Sequence, residues 1–165
     1  MSAIISDCGQ HRLRLDRWVT GSCGALTFAY FGVNPSTADA SINDQTITKL
    51  GEFTRRHGGN HFIVGNAFTY RATDVRALAA ATPNHADADR HIDAIIAEAD
   101  ILVPMWGRTT KVPKHLRPRF NEVAAKLLAS PKPMMVFGWT AGGDPKHPLM
   151  LGYNTPLVGV HDRRI

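Results

Sequence analysis

Cysteine is scarce in this chain. Only Cys8 and Cys23 occur among 165 residues. Two thiols cannot frame a disulfide-stapled fold, and with His11 they fall short of the four closely spaced ligands of a structural zinc site. Both are read as free thiols, and no metal is expected. No apolar run approaches the roughly 18–20 residues that cross a bilayer. Repeats, low-complexity tracts and a Lys/Arg tail are missing too, which excludes collagen, coiled coil and wholesale disorder. The opening MSAIISDCGQHR has no basic start followed by a long apolar stretch. A secretory leader is therefore not expected, and the cytoplasm is the default location. There is no G-x-S-x-G elbow, no Walker loop and no G-x-G-x-x-G.

What is present is an ordinary globular composition. Hydrophobic residues make up 44% and charged residues 20%. The length argues for one domain over 1–165, large enough to bury about 70% of its unfolded surface. Lys plus Arg number 19 against 14 Asp plus Glu, a net charge of +5. That excess suits a protein that meets phosphate.

Strand and helix patterns alternate along the chain. His11–Trp18 alternates polar and apolar, as a half-buried strand does. Gly21–Gly24 reads as a turn. Ala25–Val33 (ALTFAYFGV) is a continuous apolar run, the mark of a buried strand, and Asn34-Pro35 ends it. Ile47–Arg56 has helical spacing, with Asp44 or Asn43 as cap and Gly58-Gly59 as stop. His61–Asn66, Ile101–Trp106 and Met134–Phe137 read as further buried strands, with Pro156–Val160 as a last one. Asp74–Ala81, His85–Asp100 (capped by Asn84) and Phe120–Ala129 read as helices. This order predicts a single three-layer α/β/α domain. Its central sheet is expected to be mainly parallel, with an N-terminal antiparallel strand pair added.

In open sheets of this kind, ligands lie outside the carboxyl ends of the strands. Those ends deliver Asn34 to Asp39, Asn66 to Arg71, Trp106 to Arg108, and Gly138 to Thr140 followed by a loop holding Lys146-His147-Pro148-Leu149. Amides, hydroxyls, aromatic rings and cations suit a planar polar ligand that carries phosphate. Each residue also has a plainer role. Asn34 fits a turn start before proline. Asp39 and Asp44 fit helix caps. Trp106 fits the core, and Arg71 fits an ion pair with Asp74.

These strand-end motifs resemble the uracil-DNA glycosylase superfamily. Gly32-Val33-Asn34-Pro35 is similar to the Gly-x-Asn-Pro segment of the mismatch-specific branch. Lys146-His147-Pro148-Leu149 is similar to that superfamily's His-Pro-Ser-type loop. The resemblance implies that Asn34 positions the attacking water and Asn66 pairs with a flipped base. It implies that His147 stabilises the departing base and Leu149 or Met150 wedges the duplex. Ser36 stands where the uracil-specific branch has an aromatic residue, and Leu149 stands for its Ser. The uracil selectivity of that branch is therefore not implied. Over nearly its whole length the chain also resembles an uncharacterised family of small bacterial and phage proteins. That family carries NPSTAD, D-x-T-I, N-x-x-x-Y-R-A-T-D, W-G and PKHPL, here Asn34–Asp39, Asp44–Ile47, Asn66–Asp74, Trp106-Gly107 and Pro145–Leu149.

The expected activity is hydrolysis of the N-glycosidic bond of a uracil-like or modified base in single- or double-stranded DNA. Asn34 and His147 are the candidate catalytic residues, with Asp39 as an alternative water activator. Asn66, Phe68, Tyr70, Trp106, Ser36 and Thr37 are candidates for the base and substrate. Arg71, Lys146 and Arg108 are candidates for phosphate, and Leu149 for the wedge. No cofactor is required, no membrane partner is expected, and a monomer is favoured. The alternatives are a hydrolase or transferase acting on a free nucleotide or nucleoside, a catalytically silent nucleic-acid-binding module, and an interaction protein without a convergent pocket.

Overall fold

The N-terminal segment folds back on itself before any helix intervenes. β1 (Ser2–Ile5) pairs antiparallel with β2 (Arg12–Trp18). From β3 (Leu26–Gly32) onward the chain alternates strand and helix: α1 (Gln45–Arg56), β4 (Gly59–Asn66), α2 (Ala88–Glu98), β5 (Ile101–Pro104) and α3 (Pro118–Ala129). The short strands β6 (Met135–Val136) and β7 (Val158–Gly159) close the described chain. This is a computed structural model, and it describes residues 1–36 and 38–162. Among the described residues no helix is long and apolar enough to cross a membrane.

The fold is mixed α/β, built on a five-stranded sheet in the order β1-β2-β4-β3-β5. The expected mainly parallel sheet is corrected here. β4-β3-β5 are parallel, whereas β1-β2 and β2-β4 are antiparallel. The alternation of strands with helices begins only at β3. The two strands before it are joined without a helix, so they cannot run parallel to one another. The N-terminal antiparallel pair is β1 with β2. β4 separates β2 from β3, so the segment around Gly21–Gly24 links strands that are not neighbours. A parallel bridge between Leu102 and Met134 extends the row beyond β5, and β6 pairs antiparallel with β7.

Side chains alternate across the strands and feed two buried clusters. Phe28, Tyr30, Phe62, Val64 and Val103 pack with Ile47, Leu50 and Phe53 of α1. Ala29, Phe31, Ile63 and Leu102 pack with Ile92 and Ile95 of α2 and Phe120, Val123 and Leu127 of α3. Successive strand residues point to opposite faces, so α1 covers one face while α2 and α3 cover the other.

Local chemistry moves several boundaries. Asp44 caps α1, its Oδ1 accepting from the Ile47 N–H at 2.9 Å. Gly58, at φ +81, provides the left-handed stop. α2 begins at Ala88, because Asn84 accepts from the Thr69 N–H at 3.0 Å instead of capping it. The expected Asp74–Ala81 helix is a short 3₁₀ turn, Val75–Ala79, with the Asp74 side chain accepting from Arg76 N–H. Asp74 pairs with Arg76, and Arg71 instead donates to the Gly9 carbonyl.

The end of α1 lies close on the sheet at Gly59, where an added Cβ would stand 2.6 Å from both Phe28 Cδ2 and Thr54 Cγ2. Both neighbours are buried and cannot yield freely. Gly59→Ala is expected to lower stability by about 1–3 kcal/mol, read as a reduced midpoint in chemical denaturation. An unchanged midpoint would contradict this packing.

Candidate functional site

Strand polarity gathers one set of groups at one edge of the sheet. The carboxyl ends of β3, β4 and β5 lie together because these strands are parallel. β2 runs the opposite way beside β4, with Leu15 opposite Val64, so its amino end reaches the same edge. The N-terminus of α1 follows from β3 and faces this edge as well. A cleft of about 540 Å³ opens there, lined by Arg12, Asn34, Ser36, Asp44, Thr46, Asn66, Trp106, Arg108, Lys111, Thr140, Lys146, His147 and Leu149, among others.

Two side chains have one end tied to backbone. Asn34 donates through Nδ2 to the Ala72 carbonyl at 2.7 Å and the Pro35 carbonyl at 3.1 Å. Its donors are held, which leaves Oδ1 as the acceptor it can offer. His147 accepts at Nδ1 from the Leu149 N–H at 3.2 Å. That bond requires Nδ1 to be unprotonated, so the neutral ring carries its proton on Nε2. Burial lowers the His147 pKa from its ordinary value; Asp44 opposes this shift and Lys111 adds to it. The neutral ring with an Nε2–H donor is therefore the form at pH 7.

The loop that carries His147 is clamped from two sides. Lys49 of α1 donates to the Leu149 carbonyl at 2.8 Å, and the Gly107 N–H donates to the Pro145 carbonyl at 2.9 Å. Gly107 sits at φ +69, and a Cβ there would stand 3.3 Å from the His147 Cβ. The close approach of the two loops needs glycine at this point. Asn66 is almost fully buried, and among the described residues its side-chain amide makes no hydrogen bond. Its Oδ1 lies over Gly32, 3.0 Å from where a Cβ would be.

The cleft brings together Asn34, Ser36, Asn66, Trp106, Arg108, Lys146, His147 and Leu149 from the residues singled out in the sequence. The others stand elsewhere. Asp39 closes its own turn, its Oδ1 accepting from the Ser41 and Ile42 N–H groups, which with the Ser41 hydroxyl lower its pKa. Phe68 is in the core, edge-on to Phe120 at 5.7 Å between centroids. Tyr70 lies edge-on to His11 at 5.8 Å. Arg71 is half-buried, with an enclosed Nε that has no partner among the described residues. None of these four lines the cleft. Thr37 lies outside the described residues. Trp106 serves two purposes: it lines the cleft and packs at 5.5 Å on Phe120.

Sequence reasoning missed Arg12, Asp44 as a cleft residue, and Lys111. Arg12 was hidden because attention to carboxyl ends overlooks an antiparallel strand, which delivers its amino end. Asp44 was legible as a cap, and the cap position itself faces the cleft. Its Oδ1 is taken by Ile47 N–H, and its charge acts on both Arg12 and His147. Apart from Asp44, every charged residue lining the cleft is a cation: Arg12, Arg108, Lys111 and Lys146.

A family model described as protein of unknown function (DUF1643) matches residues 12–149, and the chain belongs to that family. No curated protein and no solved structure matches the chain.

The electrostatics of the cleft can be read directly. In a pH titration followed by NMR of the imidazole resonances, His147 is expected to titrate below 6.5. Asp44→Asn should lower that value further, because the Asp44 charge favours the imidazolium. With a folded-state pKa below the unfolded one, His147 contributes stability that is present above the unfolded pKa and is lost as the pH falls through the folded pKa. A His147 ring titrating at or above 6.5 would contradict this description.

Proposed function

We propose, for this member of a family whose description assigns no activity, that the cleft binds a nucleotide and hydrolyses its N-glycosidic bond. The observation that carries the reading is the paired commitment of Asn34 and His147. Each gives one end to the backbone and keeps one defined atom for a ligand in the same cleft, an acceptor on Asn34 and a donor on His147. Glycosidic hydrolysis asks for that pair. The C1′–N bond breaks, its electrons leave with the base, and the sugar gains positive character. Asn34 Oδ1 holds a water on the sugar side by accepting one of its hydrogens. The water oxygen bonds to C1′. The His147 Nε2–H donates a hydrogen bond to the base as it gains negative charge. The water proton ends on the released base, directly or through solvent.

Support for base recognition comes from Asn66. A nearly buried amide that makes no hydrogen bond among the described residues is poised to exchange donor and acceptor bonds with a base edge. Trp106 supplies an aromatic wall. Leu149 lines the cleft beside the highly exposed Met150 and is read, on this proposal, as the wedge. The layers around the sheet are read, on the same proposal, as the arrangement of the uracil-DNA glycosylase superfamily, with DNA as one substrate form and a free nucleotide as the other.

The test is release of free base, separated by chromatography. Substrates would be oligonucleotides and mononucleotides carrying uracil, hydroxymethyluracil, deaminated purines and normal bases. Asn34→Ala is expected to abolish release while lowering stability by about 1 kcal/mol, from the lost carbonyl bonds. His147→Ala is expected to slow release by about 10²–10³-fold, the usual cost of one donor aimed at developing charge. Release that persists unchanged in Asn34→Ala would overturn its role. No release from any substrate by the wild-type protein would overturn the reading.

A further inference from the structure

We infer that the floor of the cleft is a binding site for a terminal phosphate monoester, built on Arg12, so that the preferred substrate class is a nucleoside monophosphate. This rests on the reading that the cleft takes a nucleotide and deepens it.

Arg12 is the first residue of β2 and only 3% exposed. Its Nη1 donates to the Ala38 carbonyl at 2.7 Å, and among the described residues its enclosed Nε has no hydrogen-bond partner. Among the described residues neither nearby carboxylate forms an ion pair with it. Asp39 is engaged with Ser41 and Ile42, Asp44 caps α1, and both act on Arg12 only as more distant charges, opposed by Arg17 and Arg71. Burial lowers its pKa to about 10, so at neutral pH it stays a cation. An unpaired buried guanidinium is costly to keep in a folded protein. An anionic ligand with several acceptor oxygens relieves that cost, and phosphate offers the matching geometry.

Depth within the cleft separates two kinds of phosphate. Arg108, Lys111 and Lys146 line the same cleft but are exposed, and they form a cationic rim. A phosphodiester inside a strand must leave the cleft on both sides, so its charge stays at that rim. Only a chain end or a free nucleotide can carry phosphate to the floor. A monoester there also brings nearly two negative charges at pH 7, against one for a diester. The excess of cations over the lone Asp44 fits the dianion, and the rim raises its local concentration.

The experiment has two arms. In the first, inorganic phosphate is titrated into wild-type protein, Arg12→Gln and Arg12→Lys, with thermal unfolding as the readout. Phosphate is expected to raise the unfolding temperature of wild type, to do so partly in Arg12→Lys, and to leave Arg12→Gln unmoved. In the second, calorimetry compares the deoxynucleoside 5′-monophosphates, deoxyuridine monophosphate included, each with its own nucleoside and with an oligonucleotide holding the same base internally. At least one monophosphate is expected to bind wild type about tenfold or more tighter than its nucleoside and its oligonucleotide, with the ratio collapsing in Arg12→Gln. This comparison within the wild type stands even where Arg12→Gln fails to fold. Equal binding of nucleoside and monophosphate, preference for the oligonucleotide, or phosphate stabilisation that is the same in Arg12→Gln would each overturn the inference. Monophosphate binding without base release would leave this site standing and remove the glycosidic reading instead.

Discussion

The double pairing of β4 is the constraint on which the rest of the structure depends. One edge of this strand pairs parallel with β3 and the other antiparallel with β2. The parallel pairing brings Asn34 and Asn66 to one end of the sheet, since Asn66 ends β4 opposite Gly32 and Asn34 follows β3 by two residues. The antiparallel pairing brings Arg12 to that same end from the opposite direction. A register slip of one residue at β2 would turn Arg12 to the other face and put His11 or Leu13 in its place. The site is thus a consequence of strand polarity as much as of the loops that surround it.

Around that edge, most polar groups have one task in holding backbone and one atom left over. Asp44 takes the Ile47 N–H, Asn34 holds the Ala72 carbonyl, and His147 takes the Leu149 N–H. Lys49 and Gly107 fix the loop from which His147 projects. Such bonds orient a side chain more firmly than packing alone, because each buried backbone group needs its partner. Arg12 and Asn66 are the exceptions. Among the described residues the Arg12 Nε is enclosed without a partner and the nearly buried Asn66 amide makes no hydrogen bond, and in a cleft that is where a ligand is recognised.

Much of this was legible in the residues. The apolar runs ALTFAYFGV and HFIVGN marked the two central strands. The rule that ligands sit at carboxyl ends then selected Asn34, Asn66, Trp106 and the His147 loop, all of which line one cleft. β1 was not legible, because its four residues bury only every second side chain and those only partly. β6 and β7 were legible as the stretches Met134–Phe137 and Pro156–Val160, and each is shorter than its stretch, only two residues long. Phe68 was placed at a strand end by the same rule. The chain turns there, with Phe68 N–H donating to the Val33 carbonyl, and the ring enters the core. Arg12 escaped notice because the carboxyl-end rule looks past the amino end of an antiparallel strand, and the partner of β2 on that side is β4, a pairing that HRLRLDRW does not reveal.

The most direct test of the central claim is to map where a nucleotide binds. Backbone, imidazole and indole resonances would be followed by NMR while a nucleoside monophosphate is titrated into the wild-type protein. The account predicts the largest shifts at Asn34, Asn66, the Trp106 indole and His147, with the exposed Trp18 indole unmoved. Shifts centred away from this edge of the sheet, or none at saturating nucleotide, would contradict it.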